Sequence, residues 1–187
     1  VINNTAEIDY GDYARGGGIY CASGSNVTLN NCVVSGNIGR GTGGSNSYPS
    51  EVYGAGIYSD GSILTITESD ISNNILEATN TGANVAYGAG IYCSASLTID
   101  NSTINNNYFE GDNYWIAKQG GVVLAAYNLT MTDCTIDGND YEGVYSTSSW
   151  ASFTNCTISN SGGDGIYAGS SSTFMNTEVT NSGGDGI

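Results

Sequence analysis

The chain runs to 187 residues, with 28 Gly, one Pro, 14 Tyr, no His, and 18 acidic against three basic side chains for a net charge of −15. Phosphate binding needs clustered Lys and Arg, so a chain whose only cations are Arg15, Arg40 and Lys118 is not built for nucleic acid. No run of about 18 apolar residues offers a membrane span, and a 39% hydrophobic content rich in β-branched and aromatic residues predicts one ordered, all-β domain.

In chain order, Val1 to Asn4 reads as the tail of a preceding turn and Thr5 to Arg15 as an insertion. Gly18-Ile19-Tyr20 then opens a recurring string. Copies follow at Gly56-Ile57-Tyr58, Gly90-Ile91-Tyr92, Gly143-Val144-Tyr145 and Gly165-Ile166-Tyr167, with a weaker one at Gly121-Val122-Val123 and the start of another at Gly186-Ile187. A second string follows each: Val27 to Val34, Leu64 to Ile71, Leu97 to Ile104, Leu129 to Ile136, Ala151 to Ile158 and Ser172 to Val179. Each copy closes on an Asn: Asn37, Asn74, Asn107, Asn139, Asn160 and Asn181.

Successive anchor glycines lie 38, 34, 31, 22, 22 and 21 residues apart, and the excess falls after the closing Asn. Setting aside loop insertions at 5–15, 38–53, 75–87 and 108–119 leaves a repeat of about 21–22 residues. Within it, Leu97-Thr98-Ile99-Asp100 alternates apolar and polar residues, the period of a half-buried strand. Short strands meeting at Gly/Asn corners at this period predict a parallel β-helix of about six coils, each burying its inner face by stacking on its neighbours. The insertions leave the rod at one corner.

Stacking in register predicts two inward ladders: Ile19, Ile57, Ile91, Val122, Val144 and Ile166, and Leu29, Ile66, Ile99, Met131, Phe153 and Phe174. A third, of small residues, is Cys32, Ser69, Ser102, Cys134, Cys156 and Thr177. Left-handed backbone is expected at the Gly/Asn corner, with Asn side chains bonding along the axis. Five cysteines, with no Cys-x-x-Cys and no His, read as buried free thiols and not as a zinc site.

The strings Gly16-Gly17-Gly18-Ile19, Gly54-Ala55-Gly56-Ile57 and Gly88-Ala89-Gly90-Ile91, with Val34 to Asn37, Ile71 to Asn74, Ile104 to Asn107 and Ile136 to Asn139, resemble the repeats of chlamydial polymorphic outer-membrane proteins and related β-helical adhesins. Two departures are aliphatic residues where that family has Phe, and Ser161 and Ser182 at the ends of the last two full coils. The resemblance implies a right-handed β-helix, carried as a surface-exposed passenger. It transfers no catalytic residue. With no capping element visible at either end, residues 1–187 read as a single domain that is part of a longer solenoid.

Two candidate sites emerge. The insertions bring Tyr53, Tyr87, Tyr108, Tyr114 and Trp115 towards the outward column Tyr20, Tyr58, Tyr92, an aromatic face suited to a glycan or a cell-surface protein. The same rings could instead bury one another as a lateral mini-core. Asp137, Asp140, Glu142, Asp164 and Asp185 form an acidic edge, with Glu142, Asp164 and Asp185 at one position of successive coils. Calcium would relieve their repulsion, and so would a solvated, salt-screened surface. No other cofactor is implied. Outward Thr65-x-Thr67, Thr130-x-Thr132 and Ser152-x-Thr154 form a partial threonine array.

Parallel β-helices include polysaccharide-cleaving enzymes, but three basic residues and no His supply little for that chemistry. The expectation is a non-enzymatic solenoid at the cell surface or outside the cell, acting as adhesin passenger, stalk or surface-layer component. The first alternative is an extracellular filament of copies stacked end to end, joined near Val1 and Ile187. The second is a carbohydrate-active enzyme.

Overall fold

The computed structural model describes residues 1–8, 13–42, 50–78, 85–111, 118–124, 127–169 and 171–187. All strand pairing among them is parallel and links each coil to the next. Three six-stranded sheets wall the rod. The first contains Ile19–Cys21, Ile57–Ser59, Ile91–Cys93, Val122–Leu124, Val144–Ser146 and Ile166–Ala168. The second contains Asn26–Asn30, Ile63–Thr67, Leu97–Asp100, Asn128–Thr132, Trp150–Thr154 and Ser172–Met175. The third contains Val33–Ser35, Asp70–Ser72, Thr103–Asn105, Thr135–Asp137, Thr157–Ser159 and Glu178–Thr180.

Both predicted apolar ladders form in register: Ile57 pairs with Ile19 and Ile91, and Met131 with Ile99 and Phe153. Their side chains fill a continuous core in which Ile57, Ile66, Ile99, Met131 and Phe153 are inaccessible to solvent. The cysteines are free, and Cys21, Cys93, Cys134 and Cys156 are buried as expected, whereas Cys32 on the first coil is only half-buried. Cys134 and Cys156 sit in adjacent coils and bond the carbonyls of Thr132 (3.0 Å) and Thr154 (3.3 Å).

At the corner, Asn37, Asn74, Asn107 and Asn139 form a buried ladder. The Nδ2 of Asn37, Asn74 and Asn107 each reaches the Oδ1 of the next coil's Asn at 2.9–3.1 Å. Asn139 Nδ2 ends the run by donating to the Ile104 carbonyl at 2.9 Å, and each Oδ1 also accepts a backbone N–H. The expectation needs a correction at Asn160 and Asn181. Both lie one residue earlier, at positive φ and exposed, in a left-handed column with Asn73, Asn106 and Gly138. Ser161 and Ser182 take the ladder positions, and their buried Oγ atoms have no partner.

The insertions also differ from the loops expected. Each begins and ends as strand. Thr5–Ile8, Ile38–Gly41, Ile75–Ala78 and Tyr108–Gly111 form one four-stranded sheet; Tyr13–Arg15, Glu51–Tyr53, Val85–Tyr87 and Lys118–Gln119 form another. Between them lies a second, smaller core of Ala14, Val52, Ala55, Leu76, Ala86, Ala89 and Phe109. The insertions stack because neighbouring coils supply equivalent backbone at the same height, which turns an unpaired edge into a ladder. On the outward side, Arg40 stands between the carboxylates of Glu7 and Glu77.

Candidate functional site

The lateral lobe meets the rod wall at a turn of glycines. Gly54 has φ of 57°, and a Cβ there would lie 2.1 Å from the carbonyl oxygen of Ile57. The bend makes a notch in which outward residues of two sheets face each other. Arg15, Tyr53 and Tyr87 form one column; Tyr20, Tyr58 and Tyr92 form the other.

Within the notch the rings pack on one another. Tyr58 stacks on Tyr20 at 5.5 Å and on Tyr92 at 5.3 Å. Tyr53 stacks on Tyr87 at 5.4 Å and meets Tyr92 edge-on at 4.9 Å. The Arg15 guanidinium lies 4.3 Å from the Tyr13 ring centre and 5.4 Å from that of Tyr58. Tyr58 is therefore only 6% exposed although it points away from the coil interior, whereas Tyr20, on the outermost strand, is 50% exposed. Of the residues predicted to bind ligand, Tyr20, Tyr53, Tyr58, Tyr87 and Tyr92 come together, but chiefly against each other. Tyr108 is exposed on the last strand of its sheet, apart from these contacts. Tyr114 and Trp115 lie outside the described residues.

The electrostatics follow from this packing. Burial, then the Glu51 carboxylate that accepts the Tyr53 hydroxyl, holds Tyr53 well above the usual phenol range. Burial pushes Tyr58 up to about 12, against the opposing pull of Arg15, and also raises Tyr87 and Tyr92. The folded notch favours protonated rings. Its contribution to stability is complete below a pH of about 10, the unfolded value, and is lost as pH climbs through the folded values. Alkaline titration is therefore expected to show tyrosinate absorbance from these rings rising together with loss of the β circular dichroism near pH 12. All tyrosines ionising near pH 10 with the fold intact would contradict this.

Four of the five acidic-edge carboxylates accept hydrogen bonds, Asp137 from side chains and Asp140, Glu142 and Asp164 from backbone. Among the described residues no three His, Cys, Asp or Glu side chains gather where they could hold a metal ion. Asp137 accepts Ser159 Oγ at 2.6 Å and Asn160 Nδ2 at 2.7 Å, which lowers its pKa. Asp140 accepts the N–H of Phe109 at 3.4 Å and Glu142 that of Gly120 at 2.9 Å, beside the last strands of the two lateral sheets. Tyr141 between them meets Phe109 edge-on at 5.1 Å and covers the small core. The turn that reads as a cation loop is the cap of the lateral lobe, placed where the insertions stop and backbone donors would otherwise be open. Glu142, Asp164 and Asp185 do share one register position, and Asp164 accepts the N–H of Asp185 at 2.8 Å.

A feature missed at the sequence level lies on the second sheet. Trp150 opens its strand, 67% exposed, with Asn128 as its register partner. A depression of 390 Å³ is lined by Asn128, Leu129, Thr130, Trp150, Ala151 and Ser152. The outward column beside it (Thr28, Thr65, Thr98, Thr130, Ser152 and Thr173) carries a hydroxyl in all six coils, whereas the next is broken by Asn30, Asp100 and Met175. The usable signal was alternation, since Ala151 and Phe153 inward place Trp150 and Ser152 outward.

Comparison with curated proteins finds no match to this chain. Comparison with solved structures finds none either. The model of one family, described as the right handed beta helix region, matches residues 1–149 and 142–187. With parallel sheets stacked coil on coil throughout, this chain belongs to the right-handed β-helix family.

Proposed function

We propose that this protein is a non-enzymatic extracellular β-solenoid: a rigid rod that presents a recognition face, as an adhesin passenger, stalk or surface-layer component does. The observation that carries the reading is the stacked lateral lobe. Insertions that would serve an enzyme as a mobile binding cleft are tied coil to coil by two extra sheets and a tyrosine seam, which favours stiffness and display. The carboxylates of Asp137, Asp140, Glu142 and Asp164 accept hydrogen bonds from neighbouring coils, an arrangement that suits structural support better than acid–base chemistry. The extracellular placement rests on the likeness of the repeat to surface-exposed passengers.

The test exposes the immobilised protein to arrayed glycans and intact cells, with release of sugar products measured in the same wells. Retention without product is the expected result. Product release would replace this reading with a carbohydrate-active enzyme. Absence of retention, with end-to-end assemblies in electron micrographs, would replace it with the filament.

A further inference from the structure

We propose that the depression at Trp150 is a binding site for a neutral oligosaccharide lying along the rod axis; the inference rests on the recognition reading above and names its ligand class. Trp150 leaves a large apolar ring two-thirds exposed on the penultimate strand of its sheet, with the last coil's Ser172–Met175 strand on one side and Asn128–Thr132 on the other. Around it the outward side chains are an amide and two hydroxyls, Asn128, Thr130 and Ser152. None of the three has a hydrogen-bond partner among the described residues. An aromatic plane beside unengaged donors and acceptors matches a pyranose, whose C–H face stacks on an indole while its hydroxyls bond at the rim.

Charge selects among sugars. No ionisable side chain lines the depression, and the chain carries −15, so uronates and sulfated glycans would meet repulsion with no cation to offset it. Geometry sets the direction. Asn128 with Thr130, and Trp150 with Ser152, are equivalent positions of two adjacent coils. Coils repeat at about 4.8 Å, close to the rise of one residue in an extended glycan. Consecutive sugars can therefore meet consecutive coils, and the hydroxyl column running through Thr98 and Thr173 extends the track in both directions.

Calorimetric titration with cello- and manno-oligosaccharides of increasing length, and with oligogalacturonate as the acidic control, tests this. The neutral series is expected to bind with affinity rising with length, and the acidic control to bind more weakly. Trp150→Ala is expected to weaken binding by about tenfold or more, the scale of one lost stacking contact. The ring is exposed, so the melting temperature should hardly move, which separates loss of the site from loss of fold. Unchanged affinity in Trp150→Ala, preference for the acidic control, or no binding of the neutral series overturns the inference. Where the wild-type protein is still retained on cells or other glycans, only this site falls; where it is retained on nothing, the recognition reading falls with it.

Discussion

Asn74→Ala is expected to destabilise the rod by about 4 kcal/mol, since it strands several buried polar groups at about 1–3 kcal/mol each. The Asn74 amide donates to the carbonyl of Val34 at 3.0 Å and to Asn107 Oδ1 at 2.9 Å. Its Oδ1 accepts the Asn37 backbone N–H at 3.1 Å and Asn37 Nδ2 at 2.9 Å. The site is inaccessible to water, so no solvent replaces these bonds. In a chain of this size the loss corresponds to a melting temperature lower by roughly 8–16 °C.

Ser161→Ala at the equivalent position of a later coil supplies the contrast. Its Oγ is buried without a partner, so removing it relieves a desolvation cost already carried by the fold and should leave stability unchanged or raise it by up to about 1–3 kcal/mol. Thermal unfolding of the two variants side by side checks the argument. Similar losses in both would mean that the corner is held by packing and not by the amide ladder.

That contrast also marks where the sequence is legible. The inward ladders could be read because alternation ties an apolar side chain to one face, and a β-helix repeats that face at every coil. Asn is ambiguous in a way that Ile is not. It tolerates left-handed backbone and also makes ladders, and pairs such as Asn73-Asn74 and Asn106-Asn107 put both roles side by side. Asn160-Ser161 looks like another closing Asn until hydrogen bonding shows which residue faces inward.

The lateral sheets were hidden for a different reason. Setting aside unequal lengths to recover the repeat also sets aside Ile75-Leu76-Glu77-Ala78 and Val85-Ala86-Tyr87, which are too short and too predominantly apolar to show a strand period, although both pair in register with their neighbours. With these strands in place, the aromatics beside them became a seam, and the acidic turn became the cap on its end.

Tyr58→Ala is expected to be the most damaging change in that seam, at about 3–4 kcal/mol, on the scale of other large-to-small aromatic truncations. The ring is buried between Tyr20 and Tyr92, beside Tyr53, with the Arg15 guanidinium over it. Truncation opens a void in a notch whose floor, at Gly54, cannot move in to fill it. Tyr58→Phe keeps the ring and should stay within about 1 kcal/mol of the parent. The pair separates packing from hydroxyl chemistry, and it bears on function. If the tyrosine notch is a structural seam, Tyr58→Ala lowers the melting temperature while the folded fraction still binds glycan at Trp150. If the notch is itself the recognition site, both Tyr58 variants lose ligand in proportion to their effect on the ring face, and Trp150→Ala does not. Binding measured well below each variant's melting temperature decides between a rod stiffened by its tyrosines and one that recognises its partner through them.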